Sequence, residues 1–198
     1  MARTIAKDHS EKREQILAAA AKVFARDGYD RTSVDKVAQA CQISKANIYH
    51  YYSSKDEILF AILDTYLRGL RDRICNLDLK ELDSAERFKA TILEILLAYQ
   101  GANDEHRIQT AGFGILPEEQ QKTLRTYQRD LVQHLSRLIS ENAPDIFTGD
   151  KKKLHATTMS VFGMLNWYYM WNNRAGKAAR KEYADLVCAF TLTGIQGL

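Results

Sequence analysis

Residues 32–51 read Thr32-Ser33-Val34-Asp35-Lys36-Val37-Ala38-Gln39-Ala40-Cys41-Gln42-Ile43-Ser44-Lys45-Ala46-Asn47-Ile48-Tyr49-His50-Tyr51. Val34, Val37, Ala38 and Cys41 fall on one face of a helix that Thr32 or Ser33 can cap, and Ser44 caps a second segment holding Ala46, Ile48 and Tyr49. Only Gln42-Ile43 separates them. Two short helices across so tight a turn, behind a supporting helix, are the layout of a helix-turn-helix DNA reader. Its second helix would run from Ser44 to Tyr51. Small Ser44 and Ala46 permit close approach to a duplex, Lys45, Asn47, Tyr49 and His50 supply polar tips for base edges and phosphates, and Ile48 is left to pack inward. Thr32, Ser33 and Lys55 stand at helix starts, where N–H groups and the dipole favour phosphate. The plainer alternatives are a solvated charge at Lys45 and half-buried packing rings at Tyr49, Tyr51 and Tyr52; for Tyr51 and Tyr52 packing is the better reading, for Tyr49 phosphate contact.

The pattern continues on both sides. Upstream, Ile16, Ala20, Val23 and Phe24 recur at helical spacing behind an Asp8-x-x-Glu11 cap, and Gly28 stands where that helix should stop. Downstream, Ser54-Lys55-Asp56-Glu57 is a capping box opening a stripe of Leu59, Ile62, Leu63, Tyr66, Leu67, Leu70 and Ile74. Further helices are expected from Asp83 to Tyr99, around Glu105 to Thr110 and from Pro117 to Ile139. Pro144, Gly149 and Lys151-Lys152-Lys153 mark a loop, followed by helices over about 152–173 and 178–196. Gly112-Phe113-Gly114 reads as a hinge between helices.

The 198 residues contain only two prolines and ten glycines, too few turn-formers for many short strands, so the expected class is all-α. The division expected is a reader at 1–55 and a helical ligand-binding and dimerisation domain at 56–198. Residues 1–55 hold 10 Lys and Arg against 6 Asp and Glu, a net of +4, while residues 56–198 hold 18 against 19, a net of −1. The basic excess therefore sits with the reader, as an anion-binding module requires, although a solvated surface explains it equally well. No apolar run is long enough for a bilayer and the first ten residues lack a secretory apolar core, so the expected location is cytoplasmic, with no membrane partner. Cys41, Cys75 and Cys188 lack CxxC spacing and read as small buried hydrophobes. The five histidines are scattered without HExxH, and GxSxG, Walker and dinucleotide glycine loops are absent. No enzyme, metal or cofactor is expected.

The last two helices are apolar on nearly every face: Met159, Val161, Phe162, Met164, Leu165, Trp167, Tyr168, Tyr169, Met170 and Trp171, then Leu186, Val187, Cys188, Ala189, Phe190 and Ile195. A helix apolar all round must be covered all round. The economical reading is a homodimer through a four-helix interface; the alternative is a central core helix in a monomer.

Residues 10–57 resemble the DNA-binding domain of the TetR family of bacterial transcriptional regulators. The matching residues are Ile16 to Ala20, Val23 to Tyr29, Thr32 to Ala38, Ile43 to Tyr52 and Ser54 to Leu59, a pattern that spans about a quarter of the chain. The family usually has Gly where this chain has Ala46 and Phe where it has Tyr52. The resemblance implies a dimer on double-stranded, palindromic operator DNA, most often a repressor, with a small-molecule cavity beneath the long helix and release of DNA on ligand binding. Phe162 to Trp171 resembles a segment of members that answer to acyl-coenzyme A thioesters, the regulators of phenylacetate breakdown above all, which makes an acyl-CoA such as phenylacetyl-CoA the leading effector. Such a ligand needs an apolar slot and cations for phosphate. Tyr99, Phe113, Tyr127, Phe162, Asn166 and Trp167 are candidates for the first, and Arg68 and Arg71, with Arg107, Arg125 and Arg129, for the second; aromatics at helical spacing equally suit a core or an interface. The rival class is a helical ligand-binding or enzymatic protein whose N-terminal module binds a protein partner.

Overall fold

The computed structural model describes residues 2–198, with side chains from residue 9 onward. In chain order the helices are α1 (Ala2–Asp27), α2 (Val34–Ala40), α3 (Lys45–Tyr51), α4 (Lys55–Cys75), α5 (Ser84–Ala98), α6 (Asn103–Gly112), α7 (Glu118–Asn142), α8 (Pro144–Phe147), α9 (Lys151–Trp171) and α10 (Lys177–Gly194), with 3-10 turns at Phe113–Ile115 and Ile195–Gly197. Every regular element among the described residues is helical, as the scarcity of turn-formers predicts. No described helix is long and apolar enough to cross a membrane.

Three local expectations change. α1 begins at Ala2, ahead of the expected Asp8 cap, and the Asp8 side chain lies outside the described residues. The expected loop at 144–153 is largely helical: Pro144 opens α8 at a first-turn position, where its missing N–H costs nothing, and the lysine run is the first turn of α9. Three cations at a helix start oppose its dipole; the Asp150 cap, accepting from the Lys153 N–H at 2.9 Å, supplies the compensating negative charge. Of the cysteines, only Cys188 is fully buried, its thiol pushed up to about 12 by burial, while Cys41 and Cys75 are half-buried.

The chain forms two compact units. One holds the chain up to Leu67 together with Asp104–Leu124. Its core joins Ile16, Ala20, Val23 and Phe24 of α1 to Val37 of α2, Ile48 of α3 and Ile58, Leu59 and Leu63 of α4. Gly28, at φ +83°, ends α1 in the left-handed region that glycine enters without strain. Gly112 permits close seating of α6 on α4, since a Cβ there would meet Leu59 Cδ1 at 3.2 Å.

The second unit holds Arg68–Asn103 and Arg125–Leu198. α10 packs along α5, which opens with a complete Asp83/Glu86 capping box. The all-round apolar α9 resolves into two faces: Val161, Phe162, Leu165 and Tyr168 are buried, whereas Met159, Trp167, Met170 and Trp171 are exposed, as are Leu186 and Phe190 of α10.

Candidate functional site

The reader is built by two caps and one buried isoleucine. Ser33 accepts from the Lys36 N–H at 3.3 Å to start α2, and Ser44 accepts from the Asn47 N–H at 3.1 Å to start α3. Between them Gln42 takes a positive φ of 56°, and Ile43 N–H donates to the Ala38 carbonyl at 3.1 Å, so two residues suffice for the turn. Ile48 is fully buried and fixes the rotation of α3 about its axis. Lys45, Ala46, Asn47, Tyr49 and His50 are consequently exposed, Tyr49 to 47%. An exposed tyrosine ring beside a lysine and an amide is poorly explained by packing and well suited to phosphate or base contact.

Neighbouring groups set the posture of these tips. The Lys45 ammonium donates to Asp35 Oδ2 at 2.8 Å. The His50 ring meets both Tyr51 and His9 of α1 edge-on, at 5.1 and 6.3 Å between ring centroids. Tyr52 is buried beneath the Arg13 guanidinium, 4.7 Å from its ring. It serves as packing, as a Phe would.

Two residues expected at phosphates are turned inward. Thr32 is buried and its hydroxyl donates to the Gly28 carbonyl at 2.8 Å, closing the end of α1 rather than presenting Oγ1 outward. The Lys55 ammonium donates to the carbonyls of Tyr29 and Thr32 at 3.0 and 3.1 Å and lies 4.0 Å from the Tyr29 ring centroid. The Tyr29 hydroxyl bonds Asp56, and burial, with that carboxylate second, drives its phenol well above the ordinary range. The expected box at Ser54 is shifted. Ser54 accepts from the Glu57 N–H at 3.1 Å, but the Glu57 carboxylate reaches back to Ser53, accepting from its N–H and its hydroxyl at 2.6 Å each. Those two bonds hold Glu57 below the usual carboxylate range.

In the second unit the expected effector residues separate. The Arg71 guanidinium lies 5.0 Å from the Tyr127 ring and pairs with Asp72 at 2.6 Å and Asp130 at 3.4 Å. It lines an open cleft of about 610 Å3 between the end of α4 and α7, with Cys75, Asp130, Gln133, His134 and Arg137. A second hollow of about 250 Å3 shares Cys75, His134 and Arg137 with the first and is lined also by Leu77, Leu79 and Leu138 together with Lys80, Arg87 and Glu141. Tyr99 and Asn166 form a pair of their own, the buried Tyr99 hydroxyl donating to Asn166 Oδ1 at 2.8 Å. Phe162 is buried, Arg68, Arg107, Arg125 and Arg129 are exposed, and Phe113 belongs to the first unit. Trp167, expected in a ligand slot, is 63% exposed on the outer face of α9.

The family models of bacterial regulatory proteins of the tetR family and of the tetracyclin repressor-like C-terminal domain match residues 16–62 and 81–195, the second more than half of the chain. The chain belongs to the TetR family. Members of that family are transcriptional regulators, not enzymes. A TetR-family regulator from Bordetella parapertussis 12822 is 31% identical, with a TM-score of 0.85 over 94% of this chain and 96% of that one. The uncharacterized HTH-type regulator YuxN of Bacillus subtilis (strain 168) is 40% identical over 70 residues, 35% of this chain and 24% of that protein. The chain's match thus spans only about a quarter of that relative's length. AibR, solved in complex with isovaleryl coenzyme A and operator DNA, has the same fold, with a TM-score of 0.75 at 23% identity over 90% of this chain and 97% of that one.

For a TetR-family chain the reader was legible in the sequence, and the cleft was not. Of its lining, only Arg71 is an effector candidate from sequence, while Cys75 reads there as a small buried hydrophobe. Cys75, Asp130, His134 and Arg137 meet because the end of α4 lies beside α7, and no local spacing announces that. His134 is buried with Nδ1 3.3 Å from an Arg137 nitrogen, and burial, reinforced by Arg137, lowers its pKa. A neutral imidazole accepting at Nδ1 carries its proton on Nε2.

Proposed function

We propose that this TetR-family regulator binds a palindromic double-stranded operator as a homodimer, represses from it, and is released by an acyl-CoA, phenylacetyl-CoA being the leading candidate. The observation that carries the reading is the row of exposed polar tips, Lys45, Asn47, Tyr49 and His50, on a capped helix whose opposite side is locked by buried Ile48. Ser44 and Ala46 keep that helix slim at its N-terminal end, where a recognition helix meets base edges. Ser33 adds its helix-start N–H groups toward phosphate. The division of labour proposed remains reading by residues 1–55 and effector binding and dimerisation by 56–198, with the start of α4 and α6 grouped beside the reader.

The effector is proposed to occupy the cleft of the second unit. Arg71 and Arg137 suit the carrier phosphates, with exposed Arg68 on the same helix as Arg71, and Leu77, Leu79 and Leu138 offer an acyl group apolar contact in a hollow that Lys80, Arg87 and Glu141 also line. The cleft, at about 610 Å3, falls within the range of small-molecule sites. The fold relative solved with an acyl-CoA and operator DNA makes the chemistry a reasonable one to test on this fold. A labelled duplex bound by the protein, challenged with a panel of free acids and their CoA thioesters, decides it. Release by a thioester and not by its free acid is expected; release by free acids alone, or by none of the panel, overturns the effector assignment while leaving operator binding standing.

A further inference from the structure

The first residue of the reading helix is held by a carboxylate on the other helix of the motif. Lys45 follows the Ser44 cap directly, and its ammonium lies 2.8 Å from Asp35 Oδ2, with the two side chains 49% and 54% exposed. Asp35 is itself on a fixed element, since α2 is capped by Ser33 and buries Val34 and Val37. An ion pair this exposed adds little to stability. Its consequence is instead for what Lys45 can contact.

A lysine ammonium has three donors, and Asp35 occupies one. Two are left, on a nitrogen held at the N-terminal end of the helix that enters the major groove. There guanine alone offers two acceptors side by side, O6 and N7; adenine pairs an acceptor with a donor, and thymine an acceptor with a methyl group. A phosphate approaching the same ammonium would meet the Asp35 carboxylate as well, and like charges in close range oppose each other. We infer that Asp35 is a specificity-determining positioning residue, holding Lys45 for the O6 and N7 of one guanine in each operator half-site and away from phosphate. The inference rests on the operator-binding reading above and adds to it a base and a residue.

The test is selection from a random double-stranded DNA pool by the parent, Asp35→Asn, Asp35→Glu, Lys45→Ala and the Asp35→Asn/Lys45→Ala double variant, each first shown to keep its helical circular dichroism. The parent is expected to select a half-site with one guanine that becomes degenerate with Lys45→Ala. Discrimination at that position should fall about 5- to 150-fold, the range for losing a good base contact. Asp35→Asn should show most of that loss while binding unrelated DNA more tightly, with a salt slope steeper by roughly one as the released ammonium turns to phosphate. The double variant should lose the extra unrelated-DNA affinity, and Asp35→Glu should restore part of the discrimination. A parent half-site selected unchanged by Asp35→Asn overturns the inference alone. Enrichment of no sequence by the parent overturns the operator reading together with it.

Discussion

Arg180, only 1% exposed, donates from Nη1 to the carbonyl of Leu96 at 2.8 Å, and its Nε donates to the Ala175 carbonyl at 3.1 Å. Leu96 lies in the last turn of α5, where carbonyls have no intrahelical donor, and the helix dipole there is negative. The Tyr168 ring, 5.6 Å from the guanidinium carbon, covers another side. Burial lowers the pKa of this cation, so its charge is tolerated only because carbonyl dipoles replace water. The side chain therefore ties the end of α5 to the start of α10.

Arg180→Met should accordingly destabilise the protein by about 2–4 kcal/mol, since two buried carbonyls lose their donors at about 1–3 kcal/mol each and some refill with water. Urea unfolding of the two proteins measures it. An unchanged midpoint would mean that those carbonyls find other donors at no cost.

Lys55 tests whether a residue at a helix start serves phosphate or the fold. Lys55→Met removes donors from the Tyr29 and Thr32 carbonyls and the cation from the Tyr29 ring, so stability should fall by about 1–2 kcal/mol, seen as a lower melting temperature. A surface phosphate contact alone would leave stability unchanged and only reduce the salt slope of DNA binding by roughly one. Measuring both quantities on the same variant separates the roles.

The placement of Lys55 against backbone carbonyls could not be foreseen from local spacing, whereas other parts of the reader could. Val34, Val37 and Ile48 could be placed inside because helical spacing leaves them one face, and Ser33 and Ser44 could be placed as caps because few residue types start helices well. Thr32 and Lys55 look identical to surface residues in one dimension. Their direction is set by the carbonyls of Gly28, Tyr29 and Thr32, whose positions follow from the left-handed turn at Gly28. Trp167 was ambiguous for another reason. On a helix apolar all round, periodicity cannot say which face is inward, and only the packing of α9 puts Phe162 and Leu165 inside and Trp167 out.

Glu105, in the first turn of α6, has its Oε2 buried without a hydrogen-bond partner, and burial raises its pKa above the usual carboxylate range. The folded chain thus holds this proton more tightly than the unfolded chain does. Its contribution to stability is fully present below the ordinary glutamate pKa and is lost as pH rises through the higher folded value. Glu105→Gln should therefore raise the melting temperature at pH 7 and leave it nearly unchanged near pH 4, Asp104 remaining to favour the helix dipole. Equal melting temperatures of parent and variant at both pH values would place the carboxylate in water.

The outer face of α9 and α10 sets the last expectation. Trp167 and Phe190 are each 63% exposed, and Met159, Met170, Trp171 and Leu186 add to a large apolar surface on adjacent helices. Isolated apolar side chains on a surface are ordinary, but several large ones together mark an interface. In a two-fold dimer the same patch covers itself. Phe190→Glu would place a carboxylate against that patch, at a cost of several kcal/mol when buried without a partner. The expected product is a folded monomer, seen as half the parent mass by sedimentation velocity. Its affinity for a palindromic operator should fall by about 10²- to 10⁴-fold, because the second half-site no longer binds at the high effective concentration that a linked reader provides. Affinity for a single half-site should stay as it was, since Lys45, Asn47 and Tyr49 are untouched. Trp167→Glu should behave in the same way. A native-mass dimer from both variants would put the interface elsewhere and return Trp167 to the candidates for contact with the effector.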